Sequence, residues 1–223
     1  MAEVVAIVFG ILLAFAIDAW WQDRADRQVE AQYLRALRDD LDASLSLLDE
    51  ADASQQLQIE YLESLLRIDE IDPEPEDVRL WLREGVFVIG TYQPQLSSLR
   101  DLESSGQSQL IRDLALRSAL ASVAQTVDRL RNVQDDIIES QQSLLDPYLV
   151  ENFDLVAVLG SESGATVDED SSILESQAFR SRVAFKLDLR GFIGNTMQDL
   201  RRDFDESLTL IDRRLDELDF RGE

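Results

Sequence analysis

The sequence predicts an all-α protein, with one N-terminal transmembrane helix continuous with an antiparallel bundle or coiled coil of long helices. Three observations predict it. Apolar residues step by threes and fours over most of the chain. Only 9 Gly and 4 Pro interrupt 223 residues, as a mostly helical chain requires. No stretch alternates apolar and polar residues with period two for long enough to make a sheet.

The organising stretch is Val4 to Trp21, VVAIVFGILLAFAIDAWW. As a helix its 18 residues rise about 27 Å, which matches the hydrocarbon core of a bilayer. Trp20 and Trp21 stand where an interfacial aromatic belt belongs. A cleaved signal peptide needs a basic leader and a small-residue cleavage site, whereas here Met-Ala-Glu precedes the run and Asp-Ala-Trp-Trp ends it. The chain therefore divides into an anchor over residues 1–21 and a helical body over residues 22–223. The run is expected to cross a membrane once, as an uncleaved anchor.

Ala6, Gly10 and Ala14 recur every four residues, a small-residue face that lets a second membrane helix come close. Glu3 and Asp18 lie near that face at the two ends of the run. Either they are hydrated among headgroups, or they line a helix contact or pore, since a carboxylate near hydrocarbon is costly without a partner. Arg24, Arg27, Arg35 and Arg38 follow the run and no basic residue precedes it, which places the body on the cytoplasmic side, the reverse orientation remaining open.

The anchor helix is expected to continue to about Arg67, with Leu34, Leu37, Leu41, Leu45 and Leu48 as its stripe, resumed by Ile59, Leu62, Leu65 and Ile68. Pro73 and Pro75 end it. A short helix from about Asp77 to Val88 follows, then a loop marked by Gly90 and Pro94. Ser98 and Asp101 form a capping-box pattern, and Gly106 supplies the left-handed residue that closes this stretch. A second long helix is predicted from about Ser108 to Val150, with heptad spacing over Leu116, Leu120, Val123, Val127 and Leu130, continued by Val133 and Ile137. Pro147 kinks or frays its end. Residues 151–172, containing GSESGATVDEDSS, are expected to be a flexible loop. The third long helix runs from about Ile173 to Phe220, striped by Ile193, Met197, Leu200, Phe204, Leu208, Ile211, Leu215 and Leu218. Gly191 and Gly194 mark either close helix contact or a kink.

Chemistry is scarce. With no His and no Cys, catalytic triads, thiolate chemistry, zinc fingers and disulfides are excluded. GSESG at 160–164 centres on Glu162 and lacks a nucleophile, and no phosphate-cradling Gly motif occurs. Asp168 and Asp170 begin a calcium-like loop, but Ile173 and Phe179 replace its turn Gly and bidentate Glu. The sequence thus predicts no enzyme, no catalytic or metal site and no cofactor. The net charge of −24 disfavours nucleic acid. Expected partners are the lipid bilayer with either other membrane subunits or copies of the same chain.

The opening run resembles that of a family of uncharacterised bacterial single-pass membrane proteins. The likeness is carried by Glu3, Gly10, Asp18, Trp20, Tyr33, Leu34 and Leu37, and later by Ser104, Ser105 and Gly106 ahead of a helix. It covers the first 40 residues well and weakens after about Val150. Family members often have a basic segment before the membrane helix; this chain lacks one, and such a segment would favour the opposite topology. The resemblance implies the architecture and no activity. The function expected is a non-enzymatic membrane-anchored scaffold or accessory subunit of a larger membrane complex, with a self-assembling channel or effector as the alternative.

Overall fold

A computed structural model describes residues 2–160 and 171–220, and for residues 2–8, 107 and 171 the backbone alone. Every regular element among the described residues is helical. In chain order these are α1 (Ala2–Leu66), α2 (Pro75–Leu80), a π-helical turn (Trp81–Phe87), α3 (Ser97–Ser104), a 3-10 turn (Gln107–Leu110) and α4 (Leu114–Ser140). A second π-helical turn (Gln141–Leu145), α5 (Asp146–Asn152), α6 (Leu155–Leu159), α7 (Ser171–Glu175) and α8 (Gln177–Phe220) complete the chain. The all-α prediction holds, and α1 ends at Leu66, one residue before the expected end at about Arg67.

The chain forms two compact units. The first comprises 1–44, 95–122 and 203–223. Its core is built from the expected stripes: Leu34, Leu37 and Leu41 of α1, Leu116 and Leu120 of α4, and Phe204, Ile211 and Leu215 of α8, all buried. Leu99 and Leu102 of α3 join them. The segment after Pro94 lies antiparallel to α1 here. Ser44 exchanges hydrogen bonds with both backbone groups of Gln95, and Arg112 N–H donates to Glu30 at 3.1 Å.

The cap of α3 differs from the expected capping box. The helix begins at Ser97, so Ser98 is already inside it and no side chain of its own caps it. The cap comes from α1 instead: the Asp40 carboxylate accepts from Ser98 N–H at 2.7 Å and from the Ser97 hydroxyl at 3.2 Å. A cap supplied from a remote helix leaves no local sequence pattern. Gly106 does adopt the left-handed conformation, φ 67°, as expected. Helix α4 starts later than expected, at Leu114, because Asp113 caps it by accepting from Ala115 and Leu116 N–H at 2.8 and 3.2 Å.

The second unit comprises 45–94 and 123–202. Here α8 runs antiparallel to both α1 and α4: Arg201 pairs with Asp49 and Arg180 with Asp69, while Arg129 pairs with Asp199 and Arg182 reaches the Leu144 carbonyl. Residues 85–92 pass back along α1. Gly85 makes this possible, since a Cβ there would meet the Tyr61 Cβ at 3.0 Å. The core gathers Leu62, Leu65, Leu82, Val86, Leu145, Leu149 and Val183 with an aromatic group of Tyr148, Phe153 and Phe179.

One expectation is corrected in this unit. The span 151–172 is not wholly a loop. Residues 155–159 are helical with Ala157 and Val158 buried, and the Asp154 carboxylate caps them by accepting from Val156 and Ala157 N–H. Its remaining centre, with Glu162, Asp168 and Asp170, lies outside the described residues. Pro147 stands in the first turn of α5, directly after the π-helical turn at which the regular α-helix is interrupted, in keeping with the disturbance expected at the end of the second long helix. The alternative left open for the glycines of α8 is decided for Gly194 alone, since a Cβ at Gly191 would meet nothing within 4 Å. The helix is unbroken from 177 to 220, and Gly194 serves close contact, since a Cβ there would lie 2.8 Å from Gln55 Nε2.

Candidate functional site

The exposed end of α1 is the first candidate. From Phe9 to Gln22 every residue is exposed, on all faces of the helix. Phe9, Leu12, Phe15 and Trp21 each leave more than 60% of their surface open. An exposed apolar helix is the reverse of a globular pattern, in which only one stripe is apolar and that stripe is buried. Gly10 has no atom within 4 Å of where a Cβ would stand, and Ala14 and Asp18 are exposed too. The small face of Ala6, Gly10 and Ala14 thus has no described partner within the chain at Gly10 and Ala14. The side chains of Glu3 and Ala6 lie outside the described residues.

Among the described residues, no helix is long and apolar enough to cross a membrane. The 18-residue run of α1 includes Val4 to Val8, for which the backbone alone is described. Helical geometry is shown for the predicted anchor, and a membrane span is not.

Where the apolar run ends, the character of α1 switches within one turn. Trp20 and Trp21 stand edge to face at 6.0 Å, and the Arg24 guanidinium lies 5.9 Å from the Trp20 ring centre. A groove of about 540 Å³ opens beside them, lined by Trp20, Arg24, Arg27, Arg35 and Asp219 among others. Asp23 accepts from both Arg112 and Arg27, and the Arg112 hydrogen bond is the main reason its carboxyl lies below the usual carboxylate range. Glu30 is buried. Arg214 donates to both its oxygens, at 3.0 and 2.9 Å, a two-point clamp that raises the Arg214 pKa further.

The second candidate lies inside the second unit, and no sequence motif marks it. Three helices turn polar residues inward at one level: Gln55 and Gln58 from α1, Gln134 and Gln141 from α4 and the π-helical turn after it, and Lys186 and Arg190 from α8, all buried. The cause is the backbone they surround. Residues 88–96 belong to neither helix nor sheet, so their amide and carbonyl groups need partners from side chains. Gln134 supplies both for Tyr92, accepting from its N–H at 2.9 Å and donating to its carbonyl at 3.1 Å, as a neighbouring strand would. Lys186 donates to the carbonyls of Val86 and Val88 and to Gln141 Oε1 at 2.9 Å. Arg190 donates to the Val88 and Gly90 carbonyls, both at 3.2 Å.

These cations are expensive to bury. Burial, reinforced by the neighbouring Arg190 charge and opposed by Asp146, brings the Lys186 pKa down to about 7. Burial alone brings Arg190 down to about 10. Two signals for this level are present in the sequence. The α1 stripe is interrupted between Leu48 and Ile59, where Gln55 and Gln58 take the inward positions. And Lys186 is the only lysine in a chain of 21 basic residues.

Among the described residues, no group of three or more acidic side chains is placed to hold a metal ion. No family model, no curated protein and no solved structure matches the chain.

Proposed function

We propose that the protein is a non-enzymatic, membrane-anchored helical scaffold or accessory subunit that docks on a larger membrane protein complex. The observation that carries this reading is the helix from Phe9 to Trp21, apolar and exposed on every face, in direct continuation with a helical body that buries its own stripes. Such a helix needs an apolar solvent, and the bilayer is the one that suits the length of Val4–Trp21. The resemblance to a family of bacterial single-pass membrane proteins supports an inner-membrane location. The arginines after the run favour a cytoplasmic body.

A second reading, self-assembly into a channel or effector, draws on the same surface. Gly10 and Ala14 are open for a close-packed helix, which can come from another copy. One experiment separates the two. The tagged protein is solubilised gently from its native membrane and what accompanies it is identified by mass. Unrelated membrane subunits at fixed stoichiometry are expected. A free monomer removes the accessory reading. If only copies of the chain appear, Gly10→Ile should collapse the assembly, and an unchanged size rules out packing through this face.

A further inference from the structure

The polar level of the second unit holds a small cavity, lined by Ser54, Gln55, Gln58, Gly90, Thr91 and Arg190 with apolar neighbours that include Leu130, Ile193 and Met197. Its volume is about 60 Å³, above the roughly 10–15 Å³ that a single water needs, and so room for a few waters or for one small ion. We propose that this cavity is a binding site for a small monovalent anion of halide size.

Three observations carry the proposal. Arg190 is 1% exposed, yet its Nε has no hydrogen-bond partner, and among buried groups an unsatisfied N–H on a cation is the costliest kind. Gln58, 4% exposed and also on the cavity wall, likewise keeps its Oε1 without a partner. Oxygen and nitrogen of an amide exchange by a half-turn of the side chain, so Gln58 can present its NH₂ to an anion.

The third observation is charge. Lys186 and Arg190, one helical turn apart on α8, are held by carbonyl and amide oxygens. The one carboxylate that acts on Lys186 is Asp146, through Gln141, which donates to it at 2.8 Å. Among the described residues Arg190 has no carboxylate partner at all. Water on this wall supplies hydrogen bonds but leaves the Arg190 charge uncompensated. An anion meets both needs. The hydroxyls of Ser54 and Thr91 are further donors on the lining. Gly90 keeps the space open: a Cβ there would sit 3.4 Å from Gln58 Nε2 and 3.6 Å from Arg190 Nη1.

The test uses the full-length protein in detergent at constant ionic strength, with chloride exchanged stepwise for the bulky anion gluconate. In wild type the thermal midpoint should rise saturably with chloride, and the chloride-35 resonance should broaden in a way that bromide competes away. Both effects should disappear in Gly90→Ala, which keeps both cations and narrows the cavity, and in Arg190→Gln. Gly90→Ala decides the matter if Arg190→Gln fails to fold. Equal stability in chloride and gluconate, with no competable broadening, would mean that the cavity holds water only and would overturn the proposal. A chloride effect that survives in Gly90→Ala would overturn it as well, by placing the ion elsewhere.

Discussion

In the first unit the buried Glu30 carboxylate faces a guanidinium and a backbone N–H, whereas in the second unit the buried Lys186 and Arg190 face carbonyl and amide oxygens. The first arrangement neutralises charge locally. Glu30 and Arg214 meet at two points, and Arg214 also reaches Glu217 at 3.0 Å. The second arrangement pairs its cations with neutral oxygens, because they serve the backbone carbonyls of Val86, Val88 and Gly90. The difference teaches what each buried charge does. In the first unit it is an ion pair that fixes the chain entering α4 against α1 and α8. In the second it replaces the hydrogen-bond partner that an extended segment lacks.

The comparison breaks most readily at Glu30. Glu30→Ala leaves Arg214 largely buried beside an unpaired Arg112 N–H, and breaking a buried pair from one side costs about 3–5 kcal/mol. Denaturant unfolding in detergent should show a loss of that order, with Glu30→Gln intermediate because it keeps an acceptor. The exposed pair Arg38–Asp212 is the control, and Arg38→Ala should cost under about 1 kcal/mol. Equal losses for Glu30→Ala and Arg38→Ala would end the distinction between a structural ion pair and a surface one.

Lys186 sharpens the other side. Its pKa falls from 10.5 unfolded to about 7 folded, so below about pH 7 both states carry the proton and the folded state bears the full cost of burying it. Between about 7 and 10.5 the unfolded chain binds more protons than the folded one, and stability from this group rises with pH. The slope approaches roughly 1.4 kcal/mol per pH unit in the middle of that window. The difference in unfolding free energy between wild type and Lys186→Met should therefore change across about pH 7 to 10 in favour of wild type. A difference that stays flat with pH would show that Lys186 keeps its charge throughout, held by the acceptors around it.

What the sequence made legible follows from how each feature is encoded. Helix stripes are local and periodic. Leu34, Leu37, Leu116, Val123 and Leu130 are buried where their spacing puts them, and Phe204 and Ile211 obey the same rule. The pattern depends on apolarity and spacing, not on which apolar residue fills the position. Val133 shows the limit. It continues the apolar series, yet it is only half-buried, and Gln134 takes the inward place because Tyr92 needs an amide there. That need arises 42 residues away. The polar level, the Glu30 clamp and the remote cap on α3 all join distant segments through side chains whose types are ordinary on any helix surface. The exposed apolar end of α1 is the opposite case, since composition and spacing alone mark Gly10, Ala14, Asp18, Trp20 and Trp21.

The smallest effect concerns Asp40, which separates a cap from a charge. Asp40 in α1 caps α3 through Ser98 N–H and the Ser97 hydroxyl, so Asp40→Ala removes the acceptor for a helix start that has no cap of its own. The loss should be about 1 kcal/mol, the usual cost of a missing N-cap. Asp40→Asn keeps an oxygen acceptor and loses the charge. If capping is what matters, Asn should restore most of the stability. If instead the charge opposite the N-terminal dipole of α3 carries the effect, Asn should behave like Ala and the loss should shrink with added salt. Unfolding of the three proteins at low and high salt reads the two contributions apart, and fast amide exchange confined to Leu99–Leu102 in Asp40→Ala would locate the damage at the start of α3.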